Sequence, residues 1–288
     1  CLFTKIKGSI NIKKIKIMMI SRPNCKINLG LNVVERRNDG YHNLETIFYP
    51  IPLCDELEIE ESEVDCIEVK GIPVDGDVFD NLVWRAVKLL RESGYSIPPI
   101  HVVLTKHIPN GAGLGGGSSD AAFMIKMLNE KFSLDLSVEK MESLAVVLGA
   151  DCPVFIQNKP VFAEGIGNIF SPVKLSLSGL FLDLVKPDDF ISTRAAYSAV
   201  TPQRPLTGLK TLSAEPIESW VGKMVNDFEK SVFPLHPTVK GIRDKLYDLG
   251  AVYSSMSGSG SSVYGLFRNP VDVRACFSEH FYFDCILP

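Results

Sequence analysis

The sequence predicts a two-domain α/β (α+β) protein. Two observations carry that expectation: the first eighty residues are patterned mainly for β-strands, and two stretches that each mix helix and strand periodicity meet near residue 170. A third is the glycine-rich stretch PNGAGLGGGSSDAA at 109–122, which lies where a strand would feed a helix. At 288 residues the chain suffices for one large domain or two ordinary ones, and 45% hydrophobic with 22% charged residues is a globular composition. The net charge of −4 argues against a broad basic surface for nucleic acid. No run approaches the ~18 apolar residues of a membrane span, so small molecules are the expected partners.

Taken in order, CLFTKIKGSINIKKIKI at 1–17 mixes lysine and isoleucine without a clean period and precedes Met18 and Met19. Residues 1–19 are therefore read as a non-native or disordered extension ahead of a first domain over 20–168. CKINLGLNVVE alternates as a strand, RRNDGYHNLETIFYPI adds a turn at Asp39-Gly40 and a second β run, and DELEIEES and DCIEVKGI continue as strands with exposed faces. NLVWRAVKLLRESG places Leu82, Val83, Ala86, Leu89 and Leu90 on one helical face and stops at Gly94. PIHVVLTKHIP is a short strand, DAAFMIKMLNEKF continues the helix after the glycines, and SVEKMESLAVVLG is another helix with Ser137 as cap and Gly149 as stop. ADCPVFIQ reads as loop and PVFAEGIG as strand. The second domain, 169–288, begins near LSGLFLDLVKP; SWVGKMVNDFEKSVF and PTVKGIRDKLYDLG are its helices, and SSMSGSGSSVYGLF supplies a second small-residue loop. Seven cysteines, at 1, 25, 54, 66, 152, 276 and 285, form an odd set without a CxxC pair. They fit neither a disulfide framework nor a zinc site and read as reduced thiols of a cytoplasmic protein.

Glycine inside an element costs roughly 0.5–1 kcal/mol relative to alanine, so a cluster of five before a helix needs a physical return. A helix start carries unpaired N–H groups and partial positive charge, and bare backbone lets an anion such as phosphate reach them. Gly111, Gly113 and Gly116 formally satisfy the dinucleotide fingerprint G-x-G-x-x-G, but the stretch lies mid-chain and the acidic residue ~20 positions on, Asp135, precedes a helix rather than ending a strand. Walker A fails because no Gly-Lys-Ser/Thr closes the loop.

The remaining arrangement, a strand, Pro109-x-Gly111-x-Gly113-Leu114-Gly115, then Ser118-Ser119-Asp120 and a helix, resembles the phosphate loop of the GHMP kinases. PNCKINLGLNV resembles the family's first motif and SMSGSGSSVYGLF its third. KINLGLNV followed by RRNDGYHNLETIF, LGADCPVF, AEGIG and NDFE is most similar to the branch acting on a cytidine diphosphate-linked methylerythritol; the likeness spans roughly residues 20 to 268. It implies a GHMP kinase fold, with an N-terminal ATP-binding domain, a C-terminal substrate domain and the active site in the cleft between them. It also implies ATP-dependent phosphorylation of the substrate's C2 hydroxyl on the methylerythritol phosphate route to isoprenoids, by a monomer or weak homodimer. Mg²⁺ is expected on chemical grounds, to offset triphosphate charge.

Residue by residue, the resemblance makes Asp151 the catalytic base and Lys26 the lysine that holds it ionised and orients the hydroxyl. Pro109, Gly111, Gly113, Leu114, Gly115, Gly116, Gly117, Ser118 and Ser119 form the ATP cradle, with the hydroxyl of Ser118 or Ser119 able to reach Mg²⁺. Asn81 matches a position near the nucleotide, although a helix cap explains it equally well. Tyr41 and Tyr197 are expected to sandwich the cytosine, with His42 hydrogen-bonding it, and Asn28 and Thr193 to make further substrate contacts. Gly258, Ser259 and Gly260 would support a loop closing over the diphosphate. Asn24-Cys25, Cys152, Val154 and Phe228 depart from the family pattern without removing any of these groups. A sister kinase for another small alcohol would need no cytidine, and a non-catalytic ATP sensor would not need both Lys26 and Asp151.

Overall fold

A computed structural model describes residues 18–198 and 200–288; residues 1–17 of the expected extension lie outside the described residues. Met19 already belongs to a strand, β1 (Met19–Ser21), followed by β2 (Asn24–Arg36), β3 (His42–Cys54), β4 (Glu56–Glu61) and β5 (Cys66–Gly71). Helix α1 (Leu82–Glu92) crosses to β6 (Ile100–Lys106), which lies parallel to β5. A parallel pair needs such a crossover, whereas the other named pairs are antiparallel. Then come α2 (Gly116–Phe132), α3 (Val138–Leu148), α4 (Val154–Gln157), β7 (Val161–Glu164) and β8 (Ile169–Pro172). The chain continues through β9 (Phe181–Lys186), α5 (Thr193–Ser198), α6 (Leu209–Ser213), α7 (Phe228–Val232), α8 (Pro237–Asp248), β10 (Tyr253–Met256), β11 (Val263–Phe267) and β12 (Phe281–Ile286).

Among the described residues three four-stranded sheets result, ordered β1-β4-β6-β5, β2-β3-β7-β8 and β10-β11-β9-β12. The first carries α1, α2 and α3 on one apolar core. Helix α2 is buried at nearly every position from Ser119 to Leu128, so no single stripe marks its inner face. The second sheet is central. Strand β2 is buried without interruption from Cys25 to Val33, and its side chains enter two further cores shared with β9, β10, β11 and α8. Those cores join residues on both sides of position 168.

Local chemistry explains most boundaries. Asn81 caps α1 by accepting from the Val83 amide at 2.9 Å, and Ser137 caps α3 by accepting from Lys140. On α1 the fully enclosed side chains are Val83, Trp84, Ala86, Val87 and Leu90, while Leu82 and Leu89 pack at the margin. The single helix expected over SWVGKMVNDFEKSVF is not formed. Gly222 lies in the left-handed region at φ 74°, and the next residues are spent on β2, where Leu31 donates its amide to Val225 O and accepts from Asp227 N. Only α7 remains helical, starting where Asn226 Oδ1 accepts from the Phe228 amide. ADCPVFIQ, expected as loop, closes into the short α4 after Pro153. Strand β12 carried no expectation.

Candidate active site

Strand β2 lays the floor of the site. Lys26 and Asn28 are two residues apart, hence on one face, and both are buried, at 3% and 2% exposure. The Lys26 ammonium donates to Asn28 Oδ1 at 2.7 Å and to Gly113 O at 2.9 Å, and it pairs with Asp151 Oδ2 at 3.5 Å. An ammonium has three protons, and these three oxygens surround it. Asn28 is fixed in turn: its Nδ2 donates to Thr46 Oγ1 at 2.9 Å, its amide to Ser257 Oγ at 3.2 Å, and its carbonyl accepts from the Tyr264 hydroxyl at 2.7 Å. Asp151, in the turn between α3 and α4, keeps 36% of its side chain exposed.

The glycine loop locks against the loop after β10. At Gly113, φ 75°, a Cβ would lie 2.0 Å from Ser257 O, so only glycine allows this approach of two backbones. The Gly113 carbonyl also accepts from the Ser257 hydroxyl at 2.9 Å, Ala112 O accepts from the Ser262 amide and Leu114 O from the Lys26 amide. The loop's carbonyls are thus turned into protein. Helix α2 then starts after Gly115, itself left-handed at φ 71°, without a side-chain cap. Its first-turn N–H groups are left for an anion. The glycines therefore serve close packing as well as anion approach. Asn226 braces the opposite loop, donating from Nδ2 to Met256 O and Gly258 O at 2.8 Å each, and Thr193 Oγ1 meets Ser259 Oγ at 3.1 Å.

Between these loops opens a cavity of about 930 Å³. Lys26, Asn28, Tyr41, His42, Gly111, Gly113, Gly115, Asp151, Thr193, Tyr197, Gly258, Ser259 and Gly260 all line it. The geometry thus brings together most of the expected residues, from positions 26 to 260. A smaller cavity of about 250 Å³ holds Asn81, Gly117, Asn110, Lys106 and Asp120 in its wall. Pro109, Leu114 and Ser119 are buried and line neither cavity, and Gly116 and Ser118 are half-buried and line neither. The Ser118 hydroxyl bonds the Cys152 thiol, whose pKa burial pushes up to about 11.

The aromatic wall differs from expectation. His42, not Tyr41, lies face to face with Tyr197, centroids 5.1 Å apart at 22°, too close for a base to enter between them. Tyr41 precedes β3 in the turn and is 63% exposed, whereas His42 is the first residue of β3, paired with Arg36. Tyr197 is held from another side by Phe228, edge-on at 4.7 Å. Burial, then the charge of Asp151, pushes the Tyr197 phenol up to about 12, while burial and then Arg36 lower His42. Arg36 and Arg194 also line the large cavity. Sequence reasoning missed both, since a lone arginine beside a turn or in a short helix has the pattern of any solvated cation.

Beneath the loop lies a second missed group. Strand β6 points Ile100, Val102, Leu104 and Lys106 inward in strict alternation, so the last apolar slot holds a lysine. Lys106 bridges Asp55 and Asp120, the latter at 2.7 Å, and Asp55 also accepts from the Ile108 amide at 2.8 Å. Burial, offset in part by Lys106 and reinforced by Asp55, pushes Asp120 up to about 8, and its Oδ1 has no partner.

Comparison with known proteins agrees with this geometry. Residues 81–159 match the GHMP kinases N terminal domain and residues 213–282 the GHMP kinases C terminal domain. A 4-diphosphocytidyl-2-C-methyl-D-erythritol kinase of Bacteroides fragilis is 57% identical over 253 residues, 86% of this chain and 92% of that one. Its counterpart in Parabacteroides distasonis is 54% identical over 269 residues, 93% and 98% of the two chains. A crystal structure of 4-(cytidine 5'-diphospho)-2C-methyl-D-erythritol kinase superposes with a TM-score of 0.77 at 31% identity, covering 92% of this chain and 98% of that one. Mevalonate kinase of Methanococcus jannaschii, at 15% identity and a TM-score of 0.64 over 96% and 99% of the chains, shares the fold. With the glycine loop, the Lys26 node and both domain matches in one chain, the protein belongs to the 4-diphosphocytidyl-2-C-methyl-D-erythritol kinase family of the GHMP kinases.

Proposed function

We infer that this chain transfers the γ-phosphoryl group of ATP to the C2 hydroxyl of 4-diphosphocytidyl-2-C-methyl-D-erythritol, giving the 2-phosphate and ADP on the methylerythritol phosphate route to isoprenoids. The observation that carries the reading is the Lys26 node, which ties a half-exposed carboxylate to the phosphate loop inside a cavity large enough for a nucleotide-linked substrate. Phosphoryl transfer asks the protein mainly to position groups and offset charge. The α2 N–H groups would hold the phosphates of ATP, whose nucleoside end would lie toward Asn81 in the smaller cavity. Asp151 would take the proton of the C2 hydroxyl as its oxygen attacks, with Lys26 fixing the carboxylate. Arg36 and Arg194, which line the cavity, would meet the substrate's diphosphate, and Tyr41, His42 and Tyr197 would form the wall for its base.

Mg²⁺ takes oxygen ligands and usually keeps waters and substrate phosphates among them. The Ser118 hydroxyl, which bonds the Cys152 thiol here, would turn to the ion to join its shell, and the ion would offset triphosphate charge. No helix of the described residues is long and apolar enough to cross a membrane. A cytoplasmic enzyme, monomeric or weakly dimeric, belongs to the same reading.

A coupled ADP-release assay with Mg-ATP and the cytidine-linked substrate tests it. Asp151→Asn should lower kcat by ~10²–10⁴ with the fold intact. Absence of turnover in the unmodified enzyme, with ATP still bound, would overturn the substrate assignment.

A further inference from the structure

We propose that Cys66, Glu68 and His101 form a binding site for one borderline-soft divalent cation of the Zn²⁺ class on the outer face of the first sheet. Spacing along the chain gave no zinc pattern because the donors come from two strands. The fold supplies the missing proximity. Cys66 and Glu68 are two apart on β5 and share its outer face, while Ile67 between them turns into the core. Across the sheet, His101 of β6 is in register with Cys66 on one side and with Glu60 of β4 on the other. A thiolate, an imidazole and a carboxylate are the donor types that zinc selects.

The three donor atoms lie within 4.8 Å of one another. Tetrahedral zinc would hold them ~3.3–3.8 Å apart, so about an ångström of side-chain motion closes the set. The surroundings orient them. His101 Nδ1 faces Glu60 Oε1 at 3.3 Å and Nε2 faces Glu68 Oε1 at 3.0 Å. A proton kept on Nδ1 and given to Glu60 leaves the Nε2 lone pair for the ion, the carboxylate–histidine–metal arrangement of protein metal sites. Lys70 pairs with Glu68 Oε2 at 3.2 Å, so Oε1, the oxygen that faces Nε2, is the one that would turn to the ion. Binding would displace the Cys66 thiol proton to solvent, and the imidazole would bind as the tautomer with its proton on Nδ1, with water as fourth ligand. The ion would pin the edge strand β5 to β6, where β5 leads into residues 74–78 and 80–82 that wall the smaller cavity.

Co²⁺ is a suitable probe because its tetrahedral visible bands and thiolate charge-transfer band report the ligands directly. Titration of the whole chain under reducing, chelator-free conditions should show one equivalent bound, displaced by Zn²⁺. Cys66→Ser, Glu68→Gln and His101→Asn should each weaken binding at least ~10-fold, and Glu60→Gln, which keeps all three donors, by ~10–100-fold. Cys276→Ser, at an exposed thiol elsewhere, should leave the spectrum unchanged. Thermal melting of each variant checks its fold. A thiolate band that survives Cys66→Ser, or cobalt binding equally weak in the unmodified chain and in His101→Asn, overturns the site.

Discussion

Two buried lysines flank the same glycine loop and serve opposite ends. A Cβ at Gly115 would lie 3.2 Å from Lys26 Cε, and a Cβ at Gly116 would lie 2.8 Å from Ile108 Cγ2 with Lys106 Nζ at an ordinary 3.5 Å, so the two lysines approach consecutive glycines. Both ammonium groups are surrounded by oxygens. Lys26 has two neutral acceptors and a carboxylate open to the large cavity, while Lys106 has two aspartates that are all but fully buried. The exposure of the paired carboxylate separates them. An accessible Asp151 can exchange protons with a substrate; the buried Asp55 and Asp120 hold α2 to the β-sheet that carries it.

The largest expected effect breaks this comparison at the lysines. Lys106→Met leaves the buried Asp55 carboxylate without its cation and the Asp120 carboxyl without its donor, and should cost ~3–5 kcal/mol of stability. Lys26→Met strands no buried charge, and the Ser257 hydroxyl still donates to Gly113 O, so its cost should be about 1 kcal/mol while turnover collapses. Urea unfolding alongside the ADP-release assay separates the two. Equal stability losses would mean that Asp151, despite its exposure, is as dependent on its lysine as the sealed pair.

A smaller effect sharpens the account of the open side. Tyr197 is clamped between His42 and Phe228, whereas Tyr41 is free at the rim. If the cytidine stacks on the free ring, Tyr41→Ala should raise the KM for the cytidine-linked substrate by the ~1–3 kcal/mol that base stacking is worth, with kcat changed little. Tyr197→Ala should also loosen the wall and lower the melting temperature. An unchanged KM in Tyr41→Ala would place the base elsewhere in the cavity.

How much of this was legible follows from where each signal resides. The glycine loop was legible because its cause is local: left-handed backbone and an uncapped helix start are written in consecutive residues. Lys26 and Asp151 were legible only through family resemblance, since a lysine on a strand and an aspartate after a helix have ordinary patterns. Lys106 had a local signal that went unread, standing in phase with Ile100, Val102 and Leu104. Arg36, Arg194 and the His42–Tyr197 contact had none, because strands and helices distant in sequence create them. The helix misread over 219–233 failed for the same reason: its apolar spacing suits a helix, but Leu31 of β2 takes the backbone bonds it needed.

The last effect concerns the sealed side and is one of pH. Burial raises Asp120 from its usual 3.8 to about 8, so the folded protein keeps a proton there that the unfolded chain has released above about pH 4. In that window the folded state binds more protons, and its stability falls as pH rises. The contribution is fully present below the unfolded value and is lost by the time pH passes about 8. Asp120→Asn removes the titration while keeping size and polarity. Its urea midpoint should therefore gain on that of the unmodified protein from pH 5 to 8 and run parallel above pH 9. The neighbouring Cys152 thiol, raised to about 11, titrates outside the range, and Asp55 and Lys106 are common to both proteins. A constant difference across the range would mean that Asp120 is ionised at neutral pH beside Lys106, and the sealed lysine would then balance two full charges instead of one.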